Sequence, residues 1–194
     1  MVTMVSQVAS AAPGGFSFRS GRLCLDFAAT LMFRGTRQPR ELLDSPATLD
    51  AWVLASGAVS LPTSCHRSEL ALASELREAI YRLCVTRIAG HQASRDDLAV
   101  LNRHGQHAPV ALVLNPDQTL TRRGTMGAAL ASVGRDAIEL LGGPDALRLR
   151  QCGREGCTRM FIDGSRGGNR TWCGMRECGN RVNAAAYRRR KHRR

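Results

Sequence analysis

Lysine is almost missing from this chain of 194 residues: Lys191 is the only one, so nearly all positive charge is carried by arginine. Aromatic residues are scarce as well, five Phe, two Trp and two Tyr, so Leu, Val and Ala must fill any core. No apolar run reaches the roughly 18 residues of a helical membrane span, which excludes that class of protein. Residues 1–15 lack the early positive charge and compact apolar stretch of a secretory signal, so they read as a disordered tail and the chain as cytoplasmic. A phosphate loop, a Gly-x-Ser-x-Gly turn and a His-Glu-x-x-His helix are all wanting, so the expectation is a protein that is not an enzyme.

Charge and cysteine are what the chain does have, and both are unevenly spread. The formal net charge is +12. Residues 150–194 hold thirteen Lys and Arg against three Asp and Glu, a net of +10. Such a concentration points to a polyanionic partner, although a solvated basic tail has the same composition. Of seven cysteines, Cys24, Cys65 and Cys84 are scattered, and two of them fall in apolar helical patterns that suit small buried hydrophobes. Four more crowd into residues 152–178. An odd total argues against a disulfide framework.

The first 147 residues read as mostly helical. Leu23, Leu25, Phe27 and Leu31 mark one helix, followed by a polar loop over residues 34–41. Ser45 and Pro46 open a second helix that ends at Gly57. Ser68 is the expected cap of a longer one, with Leu72, Leu76, Ile80, Leu83 and Ile88 at helical spacing and Gly90 at its end. Ser94 and Asp97 resemble a capping box for a helix that stops before Gly105. Val110 to Leu114, the turn Asn115-Pro116-Asp117 and residues 118–122 form a β-hairpin. Residues 125–141 form the last helix of this part, closed by Gly142 and Gly143. His66, His91, His104 and His107 read as surface histidines in or beside loops.

Cys152-Gly-Arg-Glu-Gly-Cys157 and Cys173-Gly-Met-Arg-Glu-Cys178 repeat one spacing. Two close pairs supply two edges of a tetrahedron, and four thiolates leave no open position, so one structural Zn2+ is expected. So charged a segment buries little apolar surface, and metal binding would supply the missing folding energy, roughly 10–16 kcal/mol. Phe161 and Trp172 are expected to pack beside the metal. Asp163 would cap a turn or hold an arginine. After Cys178, Ala184 to Ala186 favour a helix that carries the basic run. The residues expected to reach nucleic acid are Arg154, Arg159, Arg166, Arg170, Arg176, Arg181, Arg188, Arg189, Arg190, Lys191, Arg193 and Arg194.

Taken together, Cys152, Cys157, Phe161, Asp163, Ser165, Arg166, Arg170, Trp172, Cys173 and Cys178-Gly-Asn-Arg181 resemble the CGNR zinc finger over residues 148–194. The preceding part, residues 16–147, resembles the ABATE domain through Leu23-Cys-Leu-Asp-Phe27, Thr30, Arg34 and the stretch from Leu42 to Trp52. It departs from that pattern at Ala29, where Asn is usual. The resemblance implies a stress-related bacterial transcription regulator with four cysteine zinc ligands.

The expected architecture is mainly α (α+β): a helical domain with one hairpin, then a small four-cysteine finger and a basic helix. The expected partner is double-stranded DNA, with nucleoid association when bound. A rival reading is an interaction module for RNA or an acidic protein. The helical domain would sense a small-molecule effector or form a homodimer, and Asp26, Thr30 and Arg34 are its candidate ligand pocket.

Overall fold

A computed structural model describes residues 15–191. The expected tail falls almost wholly outside that range, as do Arg193 and Arg194. In chain order the elements are α1 (Leu23–Ala28), β1 (Leu31–Met32), β2 (Arg40–Glu41), α2 (Pro46–Ala55), α3 (Arg67–Ala89), α4 (Arg95–Gln106), β3 (Ala111–Leu114), β4 (Leu120–Arg123), α5 (Met126–Gly142), a 3-10 turn (Pro144–Arg148), β5 (Leu149–Gln151), β6 (Met160–Ile162), a π-type turn (Met175–Gly179) and α6 (Asn180–Lys191). The three pairs β1–β2, β3–β4 and β5–β6 are each two-stranded and antiparallel. The helical expectation and the 111–123 hairpin therefore hold.

The core lies between α1, α3, α4 and α5, with α2 laid against α3 and α5. Met126, Leu130, Val133, Ala137 and Leu140 recur every three or four residues along α5, and all are buried. Ala73, Leu76, Ile80 and Leu83 do the same on α3. That spacing puts one apolar stripe of each helix on the shared interior. The scarce aromatics are concentrated: the Trp52 ring centroid lies 4.9 Å from Phe27 and 6.1 Å from Phe18. Cys24 and Cys84 are fully buried, as small hydrophobes.

Several boundaries differ from expectation. Ser45 caps α2 as expected, its Oγ accepting the Thr48 N–H. The cap of α3, however, is His66, whose backbone N–H donates to Glu69; Ser68 lies inside the helix. Asp97 closes no capping box, because its carboxylate takes the Arg82 guanidinium instead. Helix α4 runs through Gly105 to Gln106, since Gly105 serves close packing: a Cβ there would meet Ile138 Cδ1 at 2.5 Å. His104 on α4 is buried, not superficial. The loop at 34–41 is pinned at both ends by the two-residue β1–β2 ladder.

The cysteine segment is not a separate bead on a linker. Leu149 and Met160, from the two strands of the β5–β6 hairpin, belong to the same buried cluster as the helices, and Ile162 packs against it.

Candidate metal centre and basic helix

The β5–β6 hairpin carries the first cysteine pair. The Cys152 N–H donates to the Arg159 carbonyl and the Cys157 N–H to the Arg154 carbonyl, both at 2.9 Å. The turn between them needs Gly156 at φ +74°, in the left-handed region that favours glycine. The second pair brackets the π-type turn, where the N–H groups of Cys178 and Gly179 both donate to the Gly174 carbonyl at 3.1 Å. Gly153 N–H donates to Thr171 O at 2.9 Å and Cys173 N–H to the Cys152 sulfur at 3.4 Å, which joins the two halves.

All four Sγ atoms lie within 4.8 Å of one another. Three of the separations are 3.5 Å (Cys173–Cys178), 3.8 Å (Cys157–Cys178) and 4.0 Å (Cys157–Cys173). A tetrahedron with Zn–S bonds of about 2.3 Å has edges of about 3.8 Å, whereas a disulfide would bring two sulfurs to about 2.05 Å. The four are free cysteines, and their spacing fits one zinc ion with no position left for a reactant. Their proton chemistry agrees. Hydrogen bonds from the Cys157 and Cys173 thiols hold Cys152 well below the ordinary thiol range. Cys157 is pushed up to about 11, chiefly because its proton is shared with Cys152. A metal cation replaces those shared protons directly.

The loop between the pairs is ordered from within. Asp163 accepts from the N–H and Oγ of Ser165 at 2.9 and 2.6 Å and from the Arg170 N–H at 3.0 Å. It is therefore a turn cap. Arg170 donates to the carbonyls of Trp172 (2.9 Å) and Cys173 (2.6 Å) and lies 4.2 Å above the Phe161 ring. Phe161 is fully buried and Trp172 half-buried beside the sulfurs. Gly179 leaves room for its neighbours: a Cβ would come within 2.6 Å of Met175 Sδ and 3.1 Å of Trp172 Cδ1.

The arginines expected to contact nucleic acid divide into two sets. Arg159 must be reassigned. It is only 8% exposed, and its Nη1 donates to Ser17 O (3.0 Å), Ser20 Oγ (3.3 Å) and Asp26 Oδ1 (3.3 Å), so the finger is tied to the helical domain by its charge. Arg154 and Arg170 are half-buried and turned toward the centre; Arg154 Nη1 is 3.7 Å from the Cys178 sulfur and its guanidinium faces Phe33. By contrast Arg166, Arg176, Arg181, Arg188, Arg189, Arg190 and Lys191 are exposed. A second tie, Arg19 to Glu177, had no sequence signal, since its partners are 158 positions apart.

Asp26, Thr30 and Arg34 do not converge on a common pocket. Asp26 faces the finger, accepting from the N–H groups of Arg19 and Ser20 at 3.1 and 3.0 Å as well as from Arg159. Thr30 Oγ1 donates to Phe27 O at 2.7 Å. Arg34 pairs with Glu78, donates to Leu31 O and Ala28 O, and stacks on Tyr81. Their spacing in sequence placed them near one helix end, but each turns to a different neighbour.

Against known families, residues 21–144 match the model named ABATE and described as a putative stress-induced transcription regulator. Residues 148–191 match the CGNR zinc finger. No curated protein matches the chain.

Proposed function

Because the chain belongs to the ABATE family of stress-induced transcription regulators and carries a CGNR zinc finger, we propose that it is a bacterial regulator that docks on double-stranded DNA in the cytoplasm. Cys152, Cys157, Cys173 and Cys178 hold one structural zinc ion, which fixes the direction in which α6 leaves the finger. The helical domain senses the signal.

The observation that carries this reading is the state of α6. It holds Arg181, Arg188, Arg189, Arg190 and Lys191, no acidic residue, and no buried position among its described side chains. A helix of this kind has no apolar stripe for the protein's own core and is suited to a phosphate backbone. Arg166 and Arg176 add exposed charge from the finger itself. Phosphate contacts of this sort give affinity and orientation rather than sequence choice. RNA or an acidic peptide is the competing occupant. It has less support, because Phe161 is buried and Trp172 half-buried against the sulfurs, leaving Tyr187 as the one strongly exposed ring near the basic run.

Binding of the zinc-loaded chain to a duplex at several salt concentrations tests this. About five phosphate contacts give a slope of log K against log salt near −4.5, at about −0.9 per contact. Arg188→Gln with Arg189→Gln should reduce that slope by up to about 2. A slope near zero, or preferential capture of single-stranded RNA or an acidic peptide in competition, overturns the proposal.

A further inference from the structure

The helical domain contains a cleft of about 530 Å³ far in sequence from the expected pocket residues, where the N-terminus of α5 meets the end of α4 and the start of α3. That volume lies within the ordinary range for small-molecule sites, roughly 300–1,000 Å³. Leu72, Pro109 and Leu130 supply apolar wall. Three features give it a polar end.

Thr125 caps α5 through the Ala128 N–H, and no partner is recorded among the described residues for the N–H groups of Met126 and Gly127. Gly127 has no side chain to cover them; a Cβ there would find only Thr125 Oγ1, at 3.7 Å. Bare N–H groups at the start of a 17-residue helix attract an anion. Arg123, one residue before Gly124 in the same wall, is exposed and makes no ion pair among the described residues. His104, also in the wall, is only 7% exposed, and its Nε2 is buried with no hydrogen-bond partner. A buried orphan nitrogen costs about 1–3 kcal/mol and marks a place where a partner belongs. Burial holds His104 below its ordinary range, so the ring is neutral and offers one donor and one acceptor. Glu69, the carboxylate in the wall, is already used by the His66 N–H at 2.9 Å.

We propose that this cleft binds a small organic carboxylate, with the anion at Arg123 and the first turn of α5, the apolar body against Leu72, Pro109 and Leu130, and His104 bonded to a polar atom of the ligand. One arginine and two free N–H groups match a single negative charge on an apolar body better than a doubly charged phosphate. The inference deepens the sensing role given above to the helical domain, but it is read by direct binding and so stands or falls apart from DNA.

The zinc-loaded full chain, labelled with ¹⁵N, is titrated with benzoate, hexanoate, benzamide and inorganic phosphate. Saturable shifts at the Met126 and Gly127 amides and the His104 ring are expected with at least one carboxylate. Benzamide and phosphate should bind at least about tenfold more weakly, the loss of one charge-assisted contact. Arg123→Gln, an exposed substitution whose remaining spectrum reports an intact fold, should weaken the carboxylate by about the same factor. Three results overturn the proposal: no saturable shift with either carboxylate, phosphate binding as tightly as the carboxylates (an adventitious ion only), or unchanged affinity in Arg123→Gln.

Discussion

Glu78 sits between two arginines, with Arg34 Nε at 3.0 Å and Arg77 Nε at 2.9 Å, and Arg77 also grips Glu41. Burial works to raise the Glu78 pKa, but the hydrogen bonds and charges of Arg34 and then Arg77 outweigh it and leave the carboxyl below its ordinary 4.5. A carboxylate depressed in the folded state stabilises the protein above the unfolded value and loses that contribution as pH falls through the folded one. Thermal melts from pH 7 downward should therefore show a steeper fall below about pH 4.5 for the wild type than for Glu78→Gln. Parallel curves would rule out this carboxylate as a source of acid sensitivity. At this scale the sequence was legible where chemistry is local. Four cysteines at a repeated spacing could be assembled without coordinates. The destination of Arg34 could not, because a guanidinium takes whichever carboxylate and ring the tertiary packing delivers.

Elements of ten residues or more were readable, because periodicity needs several turns to declare itself: α2, α3 and α5 lie close to where their apolar spacing put them. The three-residue strands β5 and β6 carry too little pattern for that. Yet they decide how the finger is attached, since Leu149 and Met160 are each 2% exposed in the helical core. Metal loss should thus not stay within the finger. Cys173→Ser, or treatment with a strong chelator, is expected to remove about one equivalent of zinc and to lower the melting temperature of the whole chain in a single transition. A loss of about 3 kcal/mol would correspond to roughly 6–12 °C for a chain of this size. An unchanged melt of the helical domain would show that the hairpin holds its place without the metal.

Over the whole molecule, the helical domain and the finger are joined by buried charge. Arg159 and Asp26 are both under 10% exposed. Burial lowers the arginine's pKa and raises the aspartate's, so for each partner desolvation outweighs mutual attraction. Such a pair adds little over apolar packing, but removing one member strands the other. Arg159→Met should cost about 3–5 kcal/mol. Asp26→Asn in the same chain should recover most of it, since Asn can still accept from the Arg19 and Ser20 N–H groups. Equal costs in the single and double variants, measured by denaturant unfolding, would show that Arg159 acts through its packing alone.

The amino-acid sequence by itself determined the metal set, the helical class and the gathering of positive charge in the last 45 residues, because each follows from spacing, periodicity or composition along the chain. Only the tertiary structure decided which charges face outward. Arg159 and Arg166 are neighbours in the same basic segment. One is drawn inward because the fold brings Asp26 and Ser20 beside it; the other stays exposed. The same holds for the cleft, whose wall joins residues from 69 to 130. Its free N–H groups and its orphan histidine nitrogen become neighbours only when α3, α4 and α5 pack around a common core.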